Sequence, residues 1–200
     1  TRRSAFSMVN AGAGFSRLFP DTLANNGTAY NYGVEFTLQR YFSKNWHAMV
    51  SGSVYNSRYV ASDDIERNTS YNGNFAVNFL AGKEFAIGER NTLGIGVKVT
   101  TAGGKRYGDI DTVASDLQGE VVFLDENFNE KQFANYFRAD VKLNYKINAK
   151  KVTHEIGIDL VNLTGQENIL NLTYAPATTE KFVQNQQLGF LPIFYYKIDF

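Results

Sequence analysis

The chain has 200 residues with equal numbers of acidic and basic side chains, and 44% of its residues are hydrophobic. This composition excludes a disordered chain, and a formal net charge of zero gives no electrostatic support for a nucleic-acid partner. The absence of cysteine excludes disulfides, thiolate metal sites and cysteine nucleophiles, and no apolar run approaches the length of about 18 residues that indicates a transmembrane helix.

Seven segments alternate apolar and polar residues, as β-strands with two different faces do. In chain order, the predicted strands are 30–42, 46–59, 74–87, 92–104, 135–147, 153–164 and 187–200. The pattern is clearest in 135–147, where apolar residues alternate with Arg138, Asp140 and Lys142. No segment shows a convincing helical period, so the sequence predicts an all-β fold.

Short and long connections alternate between these strands. The short ones, around Asn45, Arg90 and Lys150, are polar and turn-like. The three long connections are 60–73, 105–134 and 165–186. Outer-membrane barrels have this layout, with short periplasmic turns and long extracellular loops. The predicted strands also run to about 13 residues, longer than is usual in globular proteins. The sequence therefore predicts a segment of an antiparallel transmembrane β-barrel.

The alternation of apolar and polar residues is also compatible with a soluble fold. A β-sandwich or a lipocalin-like barrel alternates in the same way, with its apolar face turned into the core. Alternation alone does not say which face points inward, so a soluble β-rich binding module remains an alternative. The charged and amide side chains at 138–146 favour a water-filled lumen over a solvent-exposed surface.

Four features of the chain resemble the late barrel strands of TonB-dependent receptors. Asn31–Leu38 is similar to the family's "YGxExxL" strand, and Tyr136–Leu143, with Tyr145 after it, resembles its "YxRxDxxxxY" strand. Ile158–Thr164 resembles the "xDxxNLT/NxF" strand, and a last strand that ends in Phe200 follows. The features occur in the family's order and span nearly the whole chain.

The resemblance implies a barrel of about 22 strands, plugged by an N-terminal domain, in the bacterial cell outer membrane. It implies import of a scarce nutrient, with energy delivered by the TonB complex. Residues 1–200 would be the C-terminal part of one barrel domain, and the plug, the earlier strands and the TonB-contacting segment would lie outside this chain. The implied partners are the lipid bilayer, these missing parts, the TonB complex and an unidentified ligand, with no nucleic acid.

Two alternatives bear on the imported ligand and on the mode of transport. The glycan-importing branch of the family has a "P-x-x-R" element before its last strand, and this chain has Pro192 without the arginine, so no glycan substrate is assigned. A passive outer-membrane channel or porin would share the same strands and loops and would lack the plug.

No pattern of residues indicates catalysis. His47 and His154, the two histidines, lie on different predicted strands and fit no catalytic or metal-binding spacing. We therefore expect no enzymatic activity, no cofactor and no metal. Loop oxygens suited to Ca²⁺ are present, although solvated acidic loops are the commoner arrangement. They belong to Asp109, Asp111 and Asp116, or to Asp125, Asn127 and Asn129.

The remaining candidates are charged residues of the strands and exposed residues of the loops. The charged strand residues are Glu35, Lys98, Arg138, Asp140, Lys142, Glu155, Asp159, Lys197 and Asp199. We expect them to pair with one another across neighbouring strands and to pack against the plug, and contact with substrate in transit is the alternative. Substrate contact is assigned to the long loops, with Arg106, Tyr107 and the stretch 117–133 as candidates.

The number of strands predicts whether the sheet closes into a barrel. Seven is odd, whereas single-chain bacterial barrels have even numbers of strands. We therefore expect an open antiparallel sheet in which the strands 30–42 and 187–200 do not pair with each other. Residues 1–29 are expected to form an extracellular loop.

Overall fold

The computed structural model describes residues 27–61 and 63–200. The elements in chain order are β1 (Thr28–Ser43), β2 (Trp46–Val60), β3 (Glu66–Asn68), β4 (Phe75–Ile87), β5 (Asn91–Ala102), β6 (Arg106–Tyr107), α1 (Thr112–Gln118), β7 (Lys131–Gln132), β8 (Tyr136–Asn148), β9 (Thr153–Val161), β10 (Ile169–Tyr174), β11 (Phe182–Gln186) and β12 (Leu191–Asp199). Of the loop expected at 1–29, residues 1–26 lie outside the described residues, and β1 already begins at Thr28.

The main sheet is a run of antiparallel neighbours in the order β1-β2-β4-β5-β8-β9-β12, with β3 added beside β2. Its seven long strands overlap the seven predicted segments, although β9 and β12 have nine residues each and are shorter than the predicted length. β1 and β12 form the two edges and do not pair with each other, as predicted from the odd number of strands. Two small sheets, β6–β7 and β10–β11, lie in the long connections. The fold is therefore all-β and antiparallel, and the described part of the chain forms no closed barrel.

The expectation of no helix was wrong at Thr112–Gln118. The Asp111 carboxylate accepts a hydrogen bond from the Ala114 N–H and caps the helix at its start. Gly119, with φ of 70°, ends it in the left-handed conformation that glycine adopts without strain. Seven residues are too few to show a helical period in the sequence, which is why the pattern missed α1.

The register of the strands divides the side chains of the main sheet between two faces. Val97 pairs with Val141 and Lys98 with Asp140, so apolar residues face apolar residues and charges face charges. The apolar face is the side that carries Val54, Phe79, Val97, Val141, Ile158 and Phe194. The polar face is the side that carries Lys98, Arg138, Asp140, Lys142, Glu155 and Tyr195.

The sheet has almost no apolar core of its own. Ala61 is the one buried hydrophobic residue within the described ranges, whereas Val34, Leu38 and Phe194 are about three-quarters exposed on the apolar face, at 74%, 75% and 76%. A lipocalin-like barrel closed around an apolar interior is therefore wrong for the described residues. No helix in this part of the chain is long and apolar enough to cross a membrane.

Candidate functional site

The three long connections leave the same end of the main sheet, because the short turns between its antiparallel strands occupy the other end. We call these the loop end and the turn end. The long connections are 61–74, 103–135 and 162–190, in chain order the first, second and third. Both candidate substrate residues, Arg106 and Tyr107, lie in the second connection, so the loop end is the candidate functional site.

Asn72 lies at the centre of the loop end, with its side chain fully buried. Its amide oxygen accepts a hydrogen bond from the Ser57 N–H at 2.9 Å. Its amide nitrogen donates to the side-chain oxygens of Asn56 and Asn68, each at 2.8 Å. These bonds offset the cost of burying the amide and fix the first connection against β2.

Arg106, one of the two predicted substrate contacts, joins the first connection to the second. Its Nε donates to the main-chain oxygen of Asn72 at 2.8 Å, and its terminal nitrogens donate to Asn74 Oδ1 at 2.8 Å and to the main-chain oxygen of Glu130 at 3.2 Å. Partial burial lowers the pKa of Arg106 from its usual value. The guanidinium thus has a structural role between the loops, and its contact with a substrate stays a prediction.

The main chains of these two connections also meet directly. A Cβ on Gly103 would collide with the main chain of Gly73, and a Cβ on Gly104 would collide with the Phe133 carbonyl. Glycine is therefore required at both positions by close backbone approach. This packing accounts for the pair of glycines before Lys105.

Tyr107, the other predicted substrate contact, belongs to a cluster of aromatic rings. Its ring stacks on Phe133, with centroids 4.2 Å apart and planes 13° apart. Phe123 lies 6.5 Å from Tyr107 in a tilted arrangement, and Phe128 meets Phe123 edge-on at 5.9 Å. The cluster forms a small core for the second connection, and its rings remain partly exposed to solvent.

The acidic residues considered for Ca²⁺ have partners of other kinds. Asp109 accepts hydrogen bonds from the amide nitrogen of Asn127 and the ammonium of Lys131. The Asp111 carboxylate accepts from the Ala114 N–H at 2.9 Å, as the cap of α1. These contacts stabilise the second connection internally.

Asp116 and Asp125 make contacts to other parts of the loop end. The Asp116 carboxylate accepts from Lys181 Nζ at 2.8 Å and from the Tyr174 hydroxyl at 2.7 Å, which joins α1 to the β10–β11 hairpin. These two donors, Lys181 foremost, lower the pKa of Asp116. The main-chain oxygen of Asp125 accepts from the buried Arg67 at 3.1 Å, and burial raises the pKa of the Asp125 carboxyl.

The loop acids do not converge on one point. Within the described ranges, no group of three or more histidine, cysteine, aspartate or glutamate side chains could hold a metal ion. Asn129 is buried and donates to the main-chain oxygen of Asn68 at 2.8 Å. The geometry therefore assigns these residues to loop packing and assigns no calcium site.

The residues that carry the resemblance of β8 and β9 contact each other. Arg138 Nε donates to the Asp140 carboxylate at 2.7 Å, and the same carboxylate accepts from the Asn162 N–H at 2.8 Å. The buried Asn162 side chain then donates to the Gln166 main-chain oxygen at 2.9 Å. This chain of bonds fixes the start of the third connection against β8.

The side chain of Asn168 forms hydrogen bonds with the main chain of β8 near its first residues, as a neighbouring strand would. The Asn168 amide accepts from the Phe137 N–H at 2.9 Å and donates to the Phe137 carbonyl at 2.8 Å. The regular β8–β9 ladder begins only at Val141, so this side chain satisfies main-chain groups that no neighbouring strand reaches. The third connection is thereby held close to the sheet.

The polar face has a cavity of about 390 Å³ over β4, β5, β8 and β9. Gly82 and Gly96 face each other in its floor, and the His47 imidazole lies over Gly82, where a Cβ would collide with it. Lys142 pairs with Asp159 across neighbouring strands at 3.5 Å, as predicted. Two further ion pairs among the predicted residues differ from the expectation, because Arg138–Asp140 and Lys197–Asp199 each form along one strand.

Comparisons with protein-family models, curated proteins and solved structures find no match to this chain. Sequence reasoning did not single out Asn72 and Asn168, because a buried asparagine in a loop produces no periodic pattern, and it gave Asn162 only as part of the motif in 158–164. The signal available was the density of asparagine in 68–74, since asparagine in a turn commonly bonds to nearby main chain.

Proposed function

We propose that this sheet is part of the wall of an outer-membrane β-barrel, and that the barrel is a TonB-dependent receptor importing a scarce nutrient. The observation that carries the proposal is the exposed apolar face of the main sheet. Large aliphatic and aromatic side chains cover it, and the register places only three charged residues of the long strands there, Arg40, Arg58 and Lys83. A face of this size and composition suits hydrocarbon, because in water it would drive aggregation.

The opposite face and the connections support the same proposal. Charged and polar side chains on the polar face pair with one another, as residues lining a wet lumen or packed against a polar plug would. The long connections lie at one end of the sheet and the short turns at the other. An outer-membrane barrel has this asymmetry, with its long loops outside the cell.

The unpaired edges fit a wall that other strands complete. β1 and β12 each leave one row of main-chain N–H and C=O groups without a partner in the main sheet. In hydrocarbon each such group costs several kcal/mol, so a membrane-spanning sheet requires further strands against both edges. In the proposed receptor these strands come from the rest of the barrel.

The receptor part of the proposal draws on the resemblance of four features. The network of Arg138, Asp140 and Asn162 gives two of them a shared structural purpose, since it connects the corresponding motifs. The loop end, with its partly exposed aromatic cluster around Tyr107, is the proposed surface for the imported ligand.

Cysteine labelling in intact cells tests the orientation and the membrane location. This chain contains no cysteine, so Glu126→Cys in the second connection and Glu89→Cys in a short turn introduce one thiol each into it. In the full-length protein we expect a membrane-impermeant maleimide to label the first variant in intact cells. The second should react only after the outer membrane is permeabilised. Equal labelling of both variants in intact cells would contradict the proposal.

Growth under nutrient limitation separates an energy-coupled importer from a passive channel. A strain that carries the full-length protein is compared with its deletion strain while one nutrient after another is made limiting. For an importer, inactivating TonB should remove the growth advantage that the protein gives. An advantage that persists without TonB would favour a passive channel in the same membrane.

A further inference from the structure

A hollow of about 370 Å³ opens beside the apolar face at the turn end of the sheet. Trp46, Lys83 and Phe85 line it, together with Ile95 and Val97 from the next strand. These residues share the apolar face, because Trp46 pairs with Lys83 and Lys83 with Ile95 across neighbouring strands. The hollow therefore has apolar walls with a cation and an indole at its rim.

Two cations flank the indole of Trp46. The Arg40 guanidinium lies over the Trp46 ring, 4.0 Å from its centroid. Lys83 is the direct cross-strand neighbour of Trp46, and its ammonium lies 5.0 Å from the centroid of the Phe85 ring. Cation–π contact holds such side chains near the rings and leaves their hydrogen-bond donors available.

Arg40 and Lys83 have no ion-pair partner among the described residues, whereas the third cation of this face, Arg58, has one. Arg58, near the loop end, forms an ion pair with Glu66 at 2.5 Å. No carboxylate of the described residues lies within ion-pair distance of Arg40 or Lys83. The turn end of the apolar face thus presents two uncompensated positive charges beside an apolar hollow.

We propose that Arg40, Trp46 and Lys83 bind the phosphate of an anionic phospholipid, with one of its acyl chains lying in the hollow. The inference rests on the proposed function, which places the apolar face in a bilayer. Arginine and lysine together complement a phosphate, and an indole between them occupies the boundary between headgroups and hydrocarbon. Every phospholipid has a phosphate and acyl chains, and the two cations without a paired carboxylate favour one whose headgroup carries a net negative charge.

Fluorescence quenching tests the proposal, because Trp46 is the only tryptophan in the 200 residues. Full-length protein is reconstituted into phosphatidylcholine vesicles that contain either brominated phosphatidylglycerol or brominated phosphatidylcholine at the same mole fraction. The signal of the Trp46→Phe variant is subtracted to isolate Trp46. We expect several-fold stronger quenching by the brominated anionic lipid, since it is enriched beside the indole.

Matched variants assign the enrichment to these residues. The double variant Arg40→Gln/Lys83→Gln should lose the excess quenching by the anionic lipid, whereas Arg58→Gln, a cation of the same face at the other end, should retain it. Equal quenching by both lipids in the unmodified protein, or loss of the excess in Arg58→Gln, overturns the phosphate site and leaves the membrane location intact. Absence of quenching by either lipid overturns the site and the proposed function together.

Discussion

The apolar face and the polar face of the main sheet share one hydrogen-bonded backbone and differ in what holds their side chains. On the polar face, side chains find partners within the molecule, as Tyr195 does when its hydroxyl donates to Glu155 at 2.7 Å. On the apolar face, its chain neighbour Phe194 is 76% exposed and has no such partner. The backbone ladder is therefore common to both faces, and the apolar face depends on the surroundings of the protein for its stabilisation.

This difference gives the largest effect that we expect from a substitution. Phe194→Arg places a charge on the apolar face, and in a bilayer it should cost about 2–4 kcal/mol near the midplane and less near an interface. Tyr195→Arg places the same charge on the polar face, next to Glu155, and should cost about 1 kcal/mol or less. Reversible unfolding of the inserted protein by denaturant measures both.

The Phe194→Leu variant is the control for the comparison of Phe194 and Tyr195. Phe194→Leu keeps the residue apolar and should cost less than Phe194→Arg, since the outward side chain fills no packed core. If the two arginine variants lost equal amounts of stability, the assignment of the faces would be wrong. If neither variant was destabilised, the apolar face would not lie in hydrocarbon.

The loop end differs from the apolar face, because buried and hydrogen-bonded polar side chains stabilise it. Asn72→Ala removes the partner of the Ser57 N–H and of the Asn56 and Asn68 side chains. Leaving such buried groups unpaired should destabilise the loop end by about 1–3 kcal/mol. Faster amide exchange in 61–74 and 103–107, with unchanged exchange in β8 and β9, is the expected result.

A matched substitution in the same connection checks that the effect is specific. Tyr71, next to Asn72, is largely exposed at 71%, and among the described residues its ring makes only an exposed cation–π contact with Lys105, so Tyr71→Ala should change the exchange of 103–107 much less than Asn72→Ala does. Similar exchange in the Asn72→Ala and Tyr71→Ala variants would show that Asn72 does not connect the two loops.

The strands and their faces were predictable because a long strand repeats its pattern. In β8, polar residues alternate with apolar ones over the whole strand, so an error at one position does not change the assignment. The open edges followed from the number of such strands. The alternation also restricts the register to shifts by even numbers of residues, since a shift by one residue would place Lys98 opposite an apolar residue.

The interior of the loops was not predictable in the same way. The positions of Asn72, Asn162 and Asn168 depend on a few specific hydrogen bonds, mostly with residues distant in the sequence, and such bonds leave no periodic pattern. The helix α1 is a single short element between a capping aspartate and a glycine. Arg106 was singled out as an exposed loop residue, and its bonds to the first connection depend on a fold that the sequence pattern does not contain.

A substitution of Arg106 distinguishes a structural role of this residue from direct contact with a ligand. Arg106→Gln removes the bonds to Asn72 and Asn74 and should destabilise the loop end by about 1 kcal/mol, with faster exchange in both connections. Lys105→Gln, which removes the charge of its exposed neighbour, should have little effect on exchange. Unchanged exchange in the Arg106 variant would contradict its structural role and favour direct contact with a ligand.

The contact between α1 and the β10–β11 hairpin gives the smallest effect, because it is exposed and depends on pH. Lys181 and the Tyr174 hydroxyl lower the pKa of Asp116, so this contact stabilises the folded loops while the carboxylate is charged. A carboxyl whose pKa is lowered by folding contributes this stability above its unfolded pKa of about 4 and loses it as the pH falls through the folded value. At about pH 6 the hairpin amides should exchange more slowly in the unmodified protein than in Asp116→Asn, and the difference should disappear once the pH is low enough to protonate Asp116. Added salt should reduce the difference at the higher pH, since the contact is open to solvent. A difference that persisted at the lowest pH would show that the charge of Asp116 does not hold the two connections together.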